Sequence, residues 1–185
     1  MHPYEMKTLM KERGHNQVIK LAGGSLYDTV DRLEKGGFVE SLETSREGRR
    51  PERTVYALTE SGRDELQLWM KELIAVPARE FPQFAAALAF LAVLGKEDAV
   101  QFLQRRMVVL EGQVAAIDME LKGTHDLGIP PLFTVEAEYG RAMARAELAW
   151  VKDLVHQIKD GDLWLTHEQM KTVAERWSKP REVSD

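Results

Sequence analysis

The sequence predicts a mainly α-helical chain with one small two-stranded β-wing near its start. Three observations predict it. Residues 25–37 read SLYDTVDRLEKGG, a capped amphipathic helix with a glycine stop. Two β-rich runs, opening at Phe38 and at Thr54, flank a segment rich in glycine and arginine. Between Val100 and Leu121 apolar residues recur alternately three and four positions apart. In this order they are the plan of a winged helix-turn-helix head followed by an α-helical dimerisation domain.

In the head, Ser25 and Asp28 fit the [ST]-x-x-[DE] capping pattern, in which the serine oxygen accepts a first-turn N–H. Leu26, Val30 and Leu33 recur at helical spacing and turn inward. Gly36-Gly37 end the helix, because glycine takes the left-handed conformation of a C-terminal stop. Phe38, Val39 and Leu42 start one strand; Thr54, Val55, Tyr56 and Leu58 form the other. The ETSREGRRPER segment between them exceeds a tight hairpin, and Gly48 and Pro51 mark it as a loop.

With Leu26, Val30 and Leu33 inside, Asp28, Asp31, Arg32 and Lys35 fall on the outer side, flanked by Tyr27 and Glu34. A helix that reads DNA presents its first turns to base edges in the major groove. Ser25, Tyr27, Asp28 and Arg32 are the residues so placed. A wing beside it would set Arg46, Arg49, Arg50 and Arg53 against phosphates or in the minor groove. Asp28 has two readings: it caps its own helix and pairs with Arg32 at i,i+4, or it accepts a bond from cytosine N4.

Several blocks, HPYEM at 2–6, GGSLY at 23–27, RLEKGGFVES at 32–41 and EGRRPERTVYALTESG at 47–62, resemble a PadR-family transcriptional regulator. The family pattern is roughly H-G-Y-E-L, then G-S-L-Y-P-x-L-x-x-L-E-x-x-G-L-I, then G-R-P-x-x-x-Y-x-L-T-x-x-G. The match covers most of residues 2–66, and the helical remainder is similar in layout to the longer, virulence-activator-type members. The resemblance implies that Tyr27 contacts the DNA backbone, that the wing arginines grip the flanking groove, and that the Tyr4–Glu5 helix precedes the recognition helix. It also implies a dimeric repressor, or in some members an activator, and for some a response to aromatic molecules. Asp28 stands where the family often has proline. The family normally carries an apolar helix ahead of H-x-Y-E, so the expectation is that the reading frame starts upstream of Met1 or that another element covers the open face.

Past the wing, Ser61-Gly62 lead into a helix to about Ile74, with Leu66, Trp69, Met70 and Leu73 on one side. Pro77 and Pro82 break the chain, and PAREFPQF marks the domain boundary. Gln83–Leu94 is predicted as an alanine-rich helix, apolar nearly all round and therefore buried, stopped by Gly95. The next helix, about 97–122, carries Val100, Leu103, Met107, Leu110, Val114, Ile117 and Leu121 as an a/d seam, which calls for a partner helix. A loop, GTHDLGIPPLF, follows. Thr134 then caps a long helix, 135–160, striped by Val135, Tyr139, Met143, Ala146, Trp150, Leu154 and Ile158 and ended by Gly161. The two long helices can form an intramolecular hairpin, and a homodimer adds a second subunit to it. Thr166 and Gln169 cap a last helix through Trp177, a candidate cover for the open face of the head. The domains expected are 1–76, 77–165 and 166–185.

Composition bounds the rest. The 185 residues allow one or two small domains, and the absence of cysteine excludes disulfides and thiolate metal sites. No apolar run reaches membrane-spanning length, FAAALAFLAVL at 84–94 included, and no signal peptide is read at the start, so a cytoplasmic location is expected. A net charge of −5 sits with a nucleic-acid partner only if the field is local, as at the arginines of 46–53. His2, His15, His125, His156 and His167 have no metal-ligand spacing, and neither G-x-S-x-G nor a phosphate loop occurs. No catalysis, cofactor or metal is expected. Trp69, Phe81, Phe84, Trp150 and Trp164 are candidates for an aromatic effector pocket, or else core.

The expected function is a homodimeric regulator on a near-palindromic double-stranded operator, a repressor released by a small molecule. An activator of the same fold and a helical protein-interaction module stand as alternatives.

Overall fold

A computed structural model describes residues 1–14, 19, 25–45, 53–161 and 163–177. The chain divides into two units, Met1–Glu80 and Phe81–Asp185.

The first unit opens with α1 (Pro3–Glu12), α2 (Ser25–Lys35), β1 (Val39–Ser45), β2 (Arg53–Leu58) and α3 (Glu60–Ala75). An uncommon capping box starts α1. His2 Nδ1 accepts from the Tyr4 N–H at 3.1 Å, and the Glu5 carboxylate accepts from the His2 N–H at 3.1 Å. Pro3 fits the first helical position because its missing N–H would be unpaired there. The stop after α2 is a Schellman motif. Gly37 is left-handed (φ 74°), its N–H reaches Glu34 O, and the Phe38 N–H reaches Leu33 O, both at 2.9 Å.

β1 and β2 pair antiparallel from Val39↔Leu58 to Ser45↔Arg53. A bulge at Leu42 interrupts the ladder between Ser41↔Tyr56 and Glu43↔Val55, and Leu42 is left exposed. The far edge of β2 is also used: the Met1 amino group donates to Tyr56 O at 2.7 Å and the Tyr56 N–H donates to Met1 O at 3.1 Å.

Thr59 joins the strand to α3 and to the α2 stop. Its hydroxyl oxygen accepts the Gly62 N–H at 3.0 Å, and the same hydroxyl lies 2.8 Å from Gly37 O and 3.0 Å from Phe38 O. Ser61 Oγ adds a second donor to Gly37 O at 3.1 Å. The turn after α2 and the start of α3 are thus laced together, which fixes the hairpin against the helix. Val30 is the buried apolar side chain of α2, with Pro3 and Gly62 buried beside the two neighbouring helix starts.

The second unit comprises α4 (Gln83–Ala89), α5 (Lys96–Asp126), α6 (Val135–Asp160) and α7 (His167–Trp177), with 3-10 turns at Leu91–Val93 and Pro131–Phe133. Its core is Leu103 of α5 against Val151, Leu154, Val155 and Ile158 of α6, flanked by Phe84, Leu88, Leu91, Val100, Met107 and Trp164. Polar pairs show that α5 and α6 run antiparallel. Lys96 Nζ donates to Lys159 O, Arg106 pairs with Glu147, Glu111 with Lys152 at 2.9 Å, and Asp118 with Arg141 and Arg145 at 3.1 and 2.8 Å.

Four features of these helices differ from expectation. The helix from Gln83 ends at Ala89, where Phe90 leaves helical geometry (φ −117°, ψ 20°), and only one face meets the core. Phe90 and Val93 are 72% and 83% exposed, so within this chain the segment is not buried all round. α5 continues past Gly123 and stops at left-handed Gly128 (φ 70°), again with Schellman bonds, from Gly128 N–H to His125 O and from Ile129 N–H to Thr124 O. Thr134 precedes α6 but donates its hydroxyl to Pro131 O at 3.1 Å instead of capping.

The inner stripe of α6 is also displaced. Val151, Leu154, Val155 and Ile158 are buried, while Val135, Tyr139, Met143 and Trp150 are about half exposed or more. Half-buried Ala137, Gly140, Ala144 and Leu148 continue the inner face toward the helix start. A sequence stripe follows large apolar residues; in the first half of α6 the half-buried side carries small ones instead.

Candidate nucleic-acid interface

The outer face of α2 carries Tyr27, half exposed, and exposed Asp28, Asp31, Arg32 and Lys35; Leu26 and Leu33 are half-buried on either side of buried Val30. Ser25 opens the helix, which places the capping position one residue earlier, outside the described residues. Arg32 does not pair with the Asp28 carboxylate. Its Nε donates to Asp28 O at 3.4 Å and its Nη2 to Thr29 Oγ1 at 3.3 Å. These long, solvated bonds engage two of the five guanidinium N–H groups and leave the fork able to re-aim. The Asp28 and Asp31 carboxylates form no ion pair among the described residues.

The hairpin stands beside this helix. Burial, then the carboxylates Glu34 and Asp31, raise the Tyr56 hydroxyl above its ordinary value, so the middle of β2 lies within the field of α2. From the Val39↔Leu58 base to the Ser45↔Arg53 pair the strands reach roughly 20 Å at the usual rise per residue. Arg53 begins β2. Arg46, Arg49 and Arg50 lie outside the described residues, in the segment joining the last pair. The helix face holds acids Asp28, Asp31 and Glu34 against bases Arg32 and Lys35, so a local excess of positive charge lies in the hairpin connection, where Arg46, Arg49, Arg50 and Arg53 stand against Glu47 and Glu52, and not on α2.

The expected dimerisation residues form the inner side of α5. Leu103 and Leu110 are buried, and Val100, Met107, Val114, Ile117 and Leu121 are half-buried. The helix with which α5 packs is α6 of the same chain. A different set remains open to solvent, including Phe102, Val108, Val109 and Met119 on α5 and Val135, Tyr139 and Met143 on α6.

Of the aromatic residues, Phe84 and Trp150 meet edge to face, with centroids 6.2 Å apart and planes at 83°. The Arg106 guanidinium lies over Phe84 at 3.6 Å and is neutralised by Glu147. Phe81 is 80% exposed, and Trp69 lies on α3 in the first unit, half exposed. Trp164 joins Trp150 along an apolar pocket with Leu163, Leu165 and Met170, which are not among the aromatic pocket candidates of the sequence. The Leu163-Trp164-Leu165 triplet between a glycine stop and a capped helix was their available signal. Among the described residues no His, Asp and Glu cluster could hold a metal ion, and no helix is long and apolar enough to cross a membrane.

Residues 1–68 match the family described as transcriptional regulator PadR-like. Bacillus subtilis PadR in complex with operator DNA is similar in structure, with a TM-score of 0.68 at 18% identity, over 85% of this chain and 91% of that one. The same protein in complex with p-coumaric acid gives 0.67 at 16%, over 86% and 90%. The protein smu.1604c from Streptococcus mutans UA159 gives 0.58 at 22%, over 83% and 89%. No curated protein matches the chain.

Proposed function

We propose, from the premise that residues 1–68 are a PadR-like transcriptional-regulator domain, that the chain is a homodimeric repressor that binds a near-palindromic DNA operator and is released by a small-molecule effector. The observation that carries the reading is the pairing of an exposed, aromatic-bearing α2 face with a projecting hairpin whose connecting sequence holds Arg46, Arg49 and Arg50. Tyr27 would reach a phosphate, Ser25, Asp28 and Arg32 the base edges, and the hairpin arginines and Arg53 the flanking groove. A similar protein bound to operator DNA, and the same protein bound to p-coumaric acid, support both halves of the proposal.

The helical unit would supply the dimer. Its α5 seam holds the α5–α6 hairpin, and the apolar side chains that the hairpin leaves open offer a second copy its surface. Two heads on a two-fold axis read two half-sites, and the bound dimer excludes polymerase from the promoter. An effector that prefers another spacing of the heads lowers operator affinity, since only a differential preference shifts such an equilibrium. The molecule acts by binding, with no catalytic step.

The acids on α2 favour one rival, a head that docks protein. A salt series separates the two. Counterion release makes log affinity for duplex DNA fall linearly with log salt, by about 0.9 per phosphate contacted. A salt-insensitive complex, or none with any duplex, is the outcome against the proposal.

A further inference from the structure

Asp28 occupies the centre of the outer face of α2. Successive residues of a helix turn by about 100°. Buried Val30 and half-buried Leu26 and Leu33 mark the inner side, which sets exposed Asp28 and Lys35 opposite them. The other acids of the helix lie to one flank: burial, then Glu34 and Asp31, raise the Tyr56 hydroxyl, so these two carboxylates stand toward β2. Asp28 is in the first turn, the part of a reading helix that meets base edges.

Arg32 follows Asp28 by one turn and points past its carboxylate. Its Nε donates to Asp28 O at 3.4 Å and its Nη2 to Thr29 Oγ1 at 3.3 Å. Both bonds draw the guanidinium to the Thr29 flank. The Asp28 carboxylate therefore keeps its acceptor lone pairs toward solvent, and Arg32 keeps donors on both terminal nitrogens.

In the major groove such a couple has a narrow choice of partners. A carboxylate only accepts. Guanine O6 and N7 and thymine O4 repel it, and adenine offers N6–H but sets the N7 acceptor beside it; cytosine N4 is the remaining donor. A guanidinium fork matches guanine O6 and N7. Four helical residues rise about 6 Å against about 3.4 Å per base pair, so the two side chains fall within about two base pairs of each other.

We propose that Asp28 and Arg32 together select a cytosine and a nearby guanine in each half-site, the carboxylate accepting from cytosine N4 and the guanidinium donating to guanine O6 and N7. Selection here works largely by rejection. An acid pressed against acceptors or phosphates is repelled, so Asp28 lowers affinity for DNA at large and raises the contrast between sequences. The inference rests on the DNA-binding reading above and names the bases that its helix face chooses.

Full-length wild type and the variants Asp28→Asn, Asp28→Ala, Arg32→Lys and Asp31→Ala are each used to select duplexes from a randomised library. Affinities for the selected duplex and for an unrelated one are then measured by fluorescence anisotropy at one fixed salt concentration. Wild type is expected to enrich a cytosine in each half-site with a guanine within about two base pairs. Exchanging that C·G pair for T·A weakens wild-type binding about tenfold. Asp28→Asn moves the enriched base from cytosine to adenine, whose N6 and N7 an amide meets bidentately. Asp28→Ala erases the preference at that position alone and tightens binding to the unrelated duplex. Arg32→Lys keeps the charge, loses the fork and relaxes the guanine. Asp31→Ala shifts affinity for all duplexes alike and leaves both bases in place. Asp28→Asn is isosteric, so the exchange of bases is still read if Asp28→Ala fails to fold. Wild-type selection without that cytosine, an unchanged motif in Asp28→Asn, or a uniform loss on all duplexes in both Asp28 variants would overturn the proposal, while steeply salt-dependent binding would keep the DNA-binding reading. A wild type that binds no duplex ends both.

Discussion

A Cβ on Gly62 would overlap the carbonyl oxygen of Phe38, with the Phe38 carbonyl carbon at 2.8 Å and Leu58 Cδ1 at 3.0 Å. The first turn of α3 and the entry to β1 approach this closely only because residue 62 has no side chain. The obstruction is backbone, which cannot swing aside. Alanine is the better helix former by about 1 kcal/mol, yet forced overpacking costs about 1–3 kcal/mol or more, so sterics win. Gly62→Ala should lower the urea midpoint of the head, and an unchanged midpoint would show that α3 is placed otherwise.

Thr59 should respond differently to two replacements. Thr59→Ala removes both the acceptor for Gly62 N–H and the donor to the Gly37–Phe38 turn. Loss of such a cap costs about 0.5–2 kcal/mol. Thr59→Ser keeps the hydroxyl and should recover most of the stability in the same denaturation experiment.

Ile158 is fully buried in the helical unit, whereas Tyr139 on the same helix is 67% exposed. Ile158→Ala should cost about 2–5 kcal/mol and show in the thermal unfolding of that unit. Tyr139→Ala should leave the helix content intact and, if the open face receives a second copy, raise the dimer dissociation constant measured by sedimentation equilibrium.

The Asp118 carboxyl is held below its ordinary value of 3.8, first by the hydrogen bond from Arg141 and next by Arg145, against a desolvation that raises it. A depressed acid contributes stability above the unfolded-state value, and the contribution disappears as pH falls through the folded one. Asp118→Asn should therefore lower the melting temperature at neutral pH, and the difference from wild type should shrink at pH well below 3.8. A difference that persists undiminished in acid would rule out the ion pair as its source.

Residues with local signatures were legible in the sequence: the Gly36-Gly37 stop, the Val30 face of α2, the paired strands, the bounds of α6 and the Thr166–Gln169 cap. The errors share a cause. Gly123 and Gly128 both qualify as helix stops on composition, and only backbone geometry chooses the second. Ala137, Gly140 and Ala144 lie on the half-buried side of α6, while Val135, Tyr139 and Met143, the large side chains that dominate a sequence stripe, are turned outward. The α5 seam reads the same whether its partner is in the same chain or another. The His2 cap was missed because histidine is an unusual capping residue. At the candidate interface, helical period alone places Tyr27 on the outer face of α2, while the Arg32 bonds to Asp28 O and Thr29 depend on a rotamer that no spacing encodes.

The most direct measurement is a hydroxyl-radical footprint of the full-length protein on duplex DNA from upstream of its own gene, repeated with Tyr27→Ala and with Arg49→Ala/Arg50→Ala. The account predicts two protected half-sites related by a dyad and about one helical turn apart, or a multiple of it. It predicts that Tyr27→Ala weakens both together, and that the double arginine variant reduces the salt slope by about 2 per dimer-bound head. A single unpaired footprint, or wild-type protection from both variants across the salt range, would contradict it.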